Sequence, residues 1–426
     1  MPGSDPIPLR YGPVKGNVQR PERVWLVPML ATMMVQGMVA LNLFALPVLA
    51  PQLALDLAVD ASWISVYSAI VFASSIVSSL GAGAAVQRWG AVRTAQLCLV
   101  LASAAALLTA AGSLPLIVIA AIAVGLAFGP ETPAASHLLA GVTTARNRPL
   151  IFSIKQSGIQ FAGIGAGLLL PALLAFLSWQ AIFLTIGILT VLTVATLEPL
   201  HTRYDVKSEE KVTRRVLPLA DLLKLITEND ALRWLAIAGF CFSAVQQSLN
   251  SFLVVHLVGN GDALAGAGAA LAVAQVAGIA GRIGCGLMAE RWIPTRWLLA
   301  LMGVLMMLGA VGLAEAHGEW PRVAILCICA LFGFSVAGWV GIFLAAVAKA
   351  APQDRAGDAT GGIMAASCAG LVLGPLMFGL IIAAGFDYGS GYLAMALLGL
   401  VGTCALAIPS AASAARPSPS DLRGHS

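Results

Sequence analysis

Charge is what this sequence has least of. Lysine, arginine, aspartate and glutamate together supply 10% of its 426 residues, where soluble domains carry about 25%. A chain so poor in charge and 59% hydrophobic cannot cover a water-soluble globule with polar side chains. Chemical motifs are missing too. The absence of a G-x-x-x-x-G-K-[ST] phosphate loop counts against ATP-driven work within the chain. No Cys/His cluster has metal-ligand spacing and no Ser/His/Asp arrangement stands out, so no cofactor is implied and an intramembrane enzyme is the least favoured class. The seven cysteines (Cys98, Cys241, Cys285, Cys327, Cys329, Cys368, Cys404) lie in apolar runs without a paired loop framework, and read as free, buried thiols. Residues 1–23 lack a cleavable signal pattern and read as a loose, Pro/Gly-rich tail.

What is present is a series of apolar runs of membrane-crossing length, about 20 residues at 1.5 Å rise for a hydrocarbon core of roughly 30 Å. Twelve are expected: near 25–50, 61–86, 94–113, 115–142, 150–177, 179–197, 232–257, 264–289, 296–314, 321–348, 358–384 and 390–410. The stretch 198–231 is the one long polar segment. It divides the chain into a bundle at 24–197 and a second at 232–411, and its leucines near Leu217, Leu219, Leu222, Leu223 and Leu225 suggest a short interfacial helix. Residues 412–426 read as a disordered tail. The fold class expected is an all-α membrane protein, twelve transmembrane helices in two pseudo-symmetric six-helix bundles.

All but three of the 24 basic residues fall in the tails and in alternate loops on one side of these spans. Arg322 lies on the other side, and Lys155 and Arg282 lie within spans. The positive-inside rule therefore places both termini in the cytoplasm of a multi-pass protein of the cytoplasmic (inner) membrane. The net charge of +4 is a topological signal and not a nucleic-acid footprint.

The halves echo one another. Gly286 follows Gly83 by 203 residues, and Gly333 follows Gly129, Gly362 follows Gly158 and Pro375 follows Pro171, each by 204. Offsets that agree to within one residue indicate two homologous halves. The loop segments G-A-A-V-Q-R-W-G from Gly83 and G-L-M-A-E-R-W-I from Gly286 resemble the G-x-L-x-D-R-x-G-R-[KR] signature of the major facilitator superfamily. The first keeps Gly83, Arg88 and Gly90, has Gln87 in place of the acid and carries Arg93 one place late. The second keeps Gly286, Glu290 and Arg291 and has Ile293 in place of the second glycine. The resemblance implies substrate held near the midplane between two rocking bundles. It also implies that these loops form a conformational lock of charge pairs and a helix dipole, and the missing acid at Gln87 puts the first half of that lock in doubt.

Two cations and one acid stand inside spans. Arg282, in G-R-I-G-C-G-L, lies eight residues before Glu290, so helical rise puts it roughly 12 Å inside the rim. No acid occurs in its own span or the one before it. An intramembrane arginine is a functional-site hypothesis by default, and its planar fork suits a carboxylate. The segment also resembles span 8 of monocarboxylate and oxalate:formate transporters, which implies an anion contact. The alternative is a structural role against carbonyls or another helix. Lys155, in S-I-K-Q-S-G-I-Q, and Glu131, in G-P-E-T-P, lie at similar depth on neighbouring spans. Either they form a structural ion pair, or Lys155 is a second anion contact and Glu131 a proton carrier. His137 either assists that proton or is a satisfied buried histidine. Gln36, Asn42, Gln160, Gln246, Gln247, Asn250 and Gln275 are polar residues that could line a cavity, about half of them reaching it. Of these Gln36, Asn42, Gln246, Asn250 and Gln275 join Arg282 and Lys155 as expected substrate contacts, and Gln246 follows Asn42 by 204.

These readings lead to a secondary transporter, working as a monomer in the lipid bilayer, that moves a small organic anion such as a carboxylate together with protons, import being preferred. The alternative is a proton-coupled exporter of drugs or of a secreted metabolite such as a siderophore. The Gly-Pro pair of drug exporters is absent from the fifth span, although Gly374-Pro375 supplies a similar pair in the eleventh. A transporter-like sensor is the third class.

Overall fold

Where no water is available, backbone N–H and C=O groups must be satisfied within the segment, and uninterrupted apolar runs therefore fold as helices. The computed structural model describes residues 25–144, 147–205, 226–316, 320–351 and 356–408. It is helical almost throughout. The order is α1 (Leu26–Leu57), α2 (Ile64–Trp89), α3 (Ala91–Ala110), α4 (Leu114–Val142), α5 (Arg148–Gln156), α6 (Gly158–Leu173), α7 (Trp179–Tyr204), α8 (Asp230–Gly259), α9 (Leu264–Arg291), α10 (Thr295–Ala314), α11 (Arg322–Ala350), α12 (Ala356–Ala383) and α13 (Tyr388–Ala407).

Among the described residues, 11 helices are long and apolar enough to cross a membrane. The remaining expected crossing, 150–177, is not one helix. It is α5 followed by α6, separated by a single turn residue, Ser157. The sixth crossing also runs on to Tyr204, past the expected boundary at 197, because Glu198 and Asp205 at its end are used to hold the α2–α3 turn. The interfacial helix expected near Leu217–Leu225 lies outside the described residues.

The two halves pack alike. The pairs α2/α4, α3/α7 and α3/α4 of the first half correspond to α9/α11, α10/α13 and α10/α11 of the second. The repeated glycines explain part of this. A Cβ on Gly129 of α4 would overlap the Ser75 carbonyl of α2, and one on Gly333 of α11 would overlap the Ala274 carbonyl of α9. The same offset therefore marks the same backbone approach, made possible by removal of a side chain.

With twelve crossings, α1 begins and α13 ends on one side, termed here the termini side. Between halves, three close contacts lie away from it. Gly167 late in α6 meets Gly268 early in α9, Gly379 late in α12 meets Ser65 at the start of α2, and Ser68 and Ser251 share a hydrogen bond of 2.8 Å. Toward the termini, Gly81 and Gly83 on α2, Gly286 on α9 and Gly361 on α12 have no foreign atom within 4 Å of a built Cβ. The Gly167→Ala substitution should therefore lower the thermal unfolding midpoint by several degrees, whereas Gly165→Ala, which has open space at its Cβ, should leave it unchanged. Differential scanning fluorimetry of the two variants checks this contrast.

Candidate functional site

The break between α5 and α6 brings the buried charges together. At Ser157 the backbone bonds back to Ile154, as in a tighter turn. The carbonyls at the break are reached by side-chain amides. Lys155 offers a donor at Nζ and an acceptor at its carbonyl, so the Gln36 amide is oriented by both. Its nitrogen donates to the Lys155 carbonyl at 2.7 Å and its oxygen accepts from Lys155 Nζ at 3.1 Å. The Gln156 side-chain amide meets Gln36 at 2.6 Å.

Lys155 Nζ lies 2.7 Å from Glu131 Oε1, with the two side chains only 3% and 2% exposed. Thr132 Oγ1 donates to the other carboxylate oxygen at 2.9 Å. Of the two open readings of Glu131 and Lys155, the ion pair is the arrangement this conformation holds. Gln36 belongs to that cluster.

Arg282 on α9 meets Gln160 on α6, across the two halves. A guanidinium only donates and the Gln156 carbonyl only accepts, which sets the Gln160 amide. Its oxygen accepts from Arg282 Nε at 3.0 Å and Nη2 at 3.1 Å, and its nitrogen donates to the Gln156 carbonyl at 3.0 Å. Gln160 is buried and Arg282 partly exposed. Among the described residues no acid pairs with Arg282.

Gln160 also lines a small cavity between the halves, with Phe44 and Ile159 on one side and Gln246, Leu249, Asn250, Gln275 and Val336 on the other. About 20 Å³ is open to the centre of a water molecule, room for about one ordered water. Three amides expected to be substrate contacts therefore do converge. Gln275 Nε2 donates to Asn250 Oδ1 at 3.1 Å, and Gln246 Oε1 accepts from Trp339 Nε1 at 3.1 Å. Gln275 and Arg282 are seven residues apart on α9 and share a face, so the Arg282–Gln160 contact lies about 10 Å from the Gln275 level, toward the termini.

Other expected residues lie elsewhere. Asn42 donates to the Met38 carbonyl at 2.9 Å and to Thr190 Oγ1 at 3.3 Å, within its own half, because a buried amide takes the nearest acceptors. Gln247 donates to Ser251 at 3.1 Å. His137 is exposed, on a different face of α4 from buried Glu131, so the satisfied buried histidine is a correction and no bond joins it to the carboxylate. Cys327 and Cys404 are likewise exposed rather than buried, since a membrane-facing thiol needs no protein cover.

The loop signature is built differently from its expected form. Gly90 has φ +93°, and Asp205 occupies the space a side chain there would need. The Asp205 carboxylate accepts from the Val92 and Arg93 backbone N–H groups at 3.0 and 2.9 Å, an anion at a helix N-terminus. Arg93 makes a fork to Glu198 at 2.9 Å through both terminal nitrogens, while Arg88 stacks over Trp89 at 5.8 Å. The acid missing at Gln87 is thus made up for by Glu198 of α7 and by Asp205, which directly follows that helix. In the second half the chain turns at Trp292 and Ile293 without positive φ, so no glycine is required. Glu290 and Arg291 are exposed and make no cross-half ion pair among the described residues.

Gln160 was named in the sequence only as one polar residue among several. Its partnership with Arg282 was not legible, because it depends on the register of α6 against α9. The i, i+4 spacing of Gln156 and Gln160 beside Gly158 was the available signal.

The sequence profile of the Major Facilitator Superfamily matches residues 29–375. A comparison with curated protein sequences gave no match. Among solved structures, the chain is similar to a mutant of the nucleoside transporter NupG, with TM-score 0.73 and 16% identity over 89% of this chain and 99% of that one. It is also similar to a bacterial homologue of the human lysosomal transporter Spinster. In the inward-facing, unoccupied conformation the TM-score is 0.65 at 15% identity, covering 91% of this chain and 95% of that one. In the inward-facing, occupied conformation it is 0.66 at 16% identity, covering 90% and 95%.

The buried pair makes a stability prediction. Lys155→Met leaves the Glu131 carboxylate without its cation and should destabilise the protein by about 3–5 kcal/mol. The double change Lys155→Met with Glu131→Gln should recover most of that loss. Thermal unfolding of the three proteins in detergent reads the difference.

Proposed function

The chain belongs to the major facilitator superfamily, and from that premise we propose that this transporter moves a small organic anion, a carboxylate, through the space between its two bundles by alternating access. The observation that carries the reading is Arg282. A permanently charged guanidinium stands inside the membrane-spanning part, and the contact it has is a neutral amide. Its charge is left for a ligand to balance, and its fork geometry matches two carboxylate oxygens. Gln246, Asn250 and Gln275 offer hydrogen bonds to the remainder of the ligand.

Coupling to protons follows from the second charged cluster. While Glu131 is ionised it holds Lys155, and the lysine is unavailable to substrate. Protonation of Glu131 releases Lys155 as a second anion contact, so proton and anion enter together. Placing the basic loops in the cytoplasm makes the termini side the cytoplasmic face. Bundle contacts concentrated on the opposite side then correspond to a cytoplasm-facing state of a single-chain importer in the cytoplasmic membrane.

A second reading has one observation in its favour. The cavity walls carry amides rather than charges, which suits a neutral polar solute, and one similar structure is that of a nucleoside transporter. Arg282 separates the two readings. Arg282→Lys keeps the charge and loses the fork, and should reduce anion uptake into proteoliposomes more than about tenfold. Near-normal uptake by that variant removes Arg282 from the site. Glu131→Gln should retain uptake but lose its stimulation by an inside-alkaline pH gradient, and gradient-stimulated uptake by that variant removes the proton role.

A further inference from the structure

Resting on the reading of Arg282 as the anion anchor, we propose that Gln160 is the specificity residue of the same site, an internal competitor whose amide oxygen fills the place at Arg282 that a substrate carboxylate takes. The geometry is that of a bound ligand. One acceptor oxygen sits on the Nε/Nη2 edge of the guanidinium, 3.0 and 3.1 Å from the two donors, the edge on which a carboxylate sets its two oxygens side by side. Gln160 comes from the opposite bundle to Arg282 and lines the cavity wall. A carboxylate that takes this edge of Arg282 must therefore displace it.

This arrangement selects by charge. A neutral solute offers Arg282 the same kind of acceptor that Gln160 already provides, and it gains little by exchange. A carboxylate replaces a neutral acceptor by a charge-assisted pair, roughly twice as strong. Gln160 thus subtracts a constant amount from the affinity of every ligand, and only an anion recovers it.

Displacement also has a local consequence. The Gln160 nitrogen is bonded to the Gln156 carbonyl at the α5–α6 break, and the Gln156 side chain touches Gln36, which holds Lys155. Arrival of an anion at Arg282 frees the amide that orders this break, one residue away from the Lys155–Glu131 pair. Gln160 is thus the hydrogen-bonded link by which occupation of the second bundle's arginine reaches the first bundle's ion pair.

The test uses the purified full chain in detergent and isothermal titration calorimetry. The ligands are acetate, lactate, succinate and benzoate, followed by the primary amide of whichever acid binds best. Wild type should bind that acid and not its amide. Gln160→Met, which keeps the length and removes the acceptor, should bind the acid about fivefold tighter and bring the amide into the measurable range. Gln160→Glu supplies a permanent carboxylate to Arg282 and should bind neither, with an unfolding midpoint at or above that of wild type. Unchanged affinity of the acid for Gln160→Met, or wild-type affinity for Gln160→Glu, overturns the competitor role. If wild type binds none of the acids, or if Arg282→Gln keeps the acid affinity, the anion reading itself fails, and the competitor role falls with it.

Discussion

An ionised side chain inside a bilayer costs about 3 kcal/mol on insertion scales and more in simulations, and this chain holds three of them at depth. Glu131 and Lys155 neutralise each other at 2.7 Å. Among the described residues Arg282 has no such partner, and a neutral amide from the other bundle accepts its hydrogen bonds instead. That imbalance organises the interior. The α5–α6 break presents backbone carbonyls, and Gln36 and Gln160 satisfy them while turning their oxygens toward Lys155 and Arg282. Two amides therefore mediate between helix geometry and buried charge, one for each cation.

The fold supplies the means to keep these groups in place and to move them. Paired glycines at one repeat offset seat α4 on α2 and α11 on α9, so the same close backbone approach ties helices within each bundle. Between bundles, small residues and a serine pair make close contacts on the side away from the termini. Around Arg282 the cross-bundle contact is polar and consists of an amide on a guanidinium. A ligand can substitute for that bond, which is not true of the glycine contacts.

Much of this was legible in the sequence, for reasons that differ residue by residue. The helices and the two halves follow from apolar runs and repeat offsets, which are local properties. Glu131 and Lys155 could be placed at one depth by counting residues from the loops, which left open whether they pair; the 2.7 Å contact is a finding of the structure. Gln160 could not be matched to Arg282 that way, because two helices from different bundles can be rotated freely in a sequence argument. The break at Ser157 was hidden inside a continuous apolar run, since one turn residue leaves the hydropathy unchanged. Gln87 suggested a weakened loop, yet the acids that hold the turn, Glu198 and Asp205, come from the end of α7, more than 100 residues away. His137 misled because a histidine close to a buried acid in sequence can still lie on another face of the helix.

The central claim is that the charge left over at Arg282 is balanced by substrate. It is tested most directly by uptake of radiolabelled acetate, lactate, succinate, benzoate and uridine into proteoliposomes containing the wild-type chain, with and without an inside-alkaline pH gradient. The account predicts that at least one acid accumulates, that the gradient increases its uptake, and that uridine does not enter. Accumulation of uridine with no uptake of any acid would contradict it.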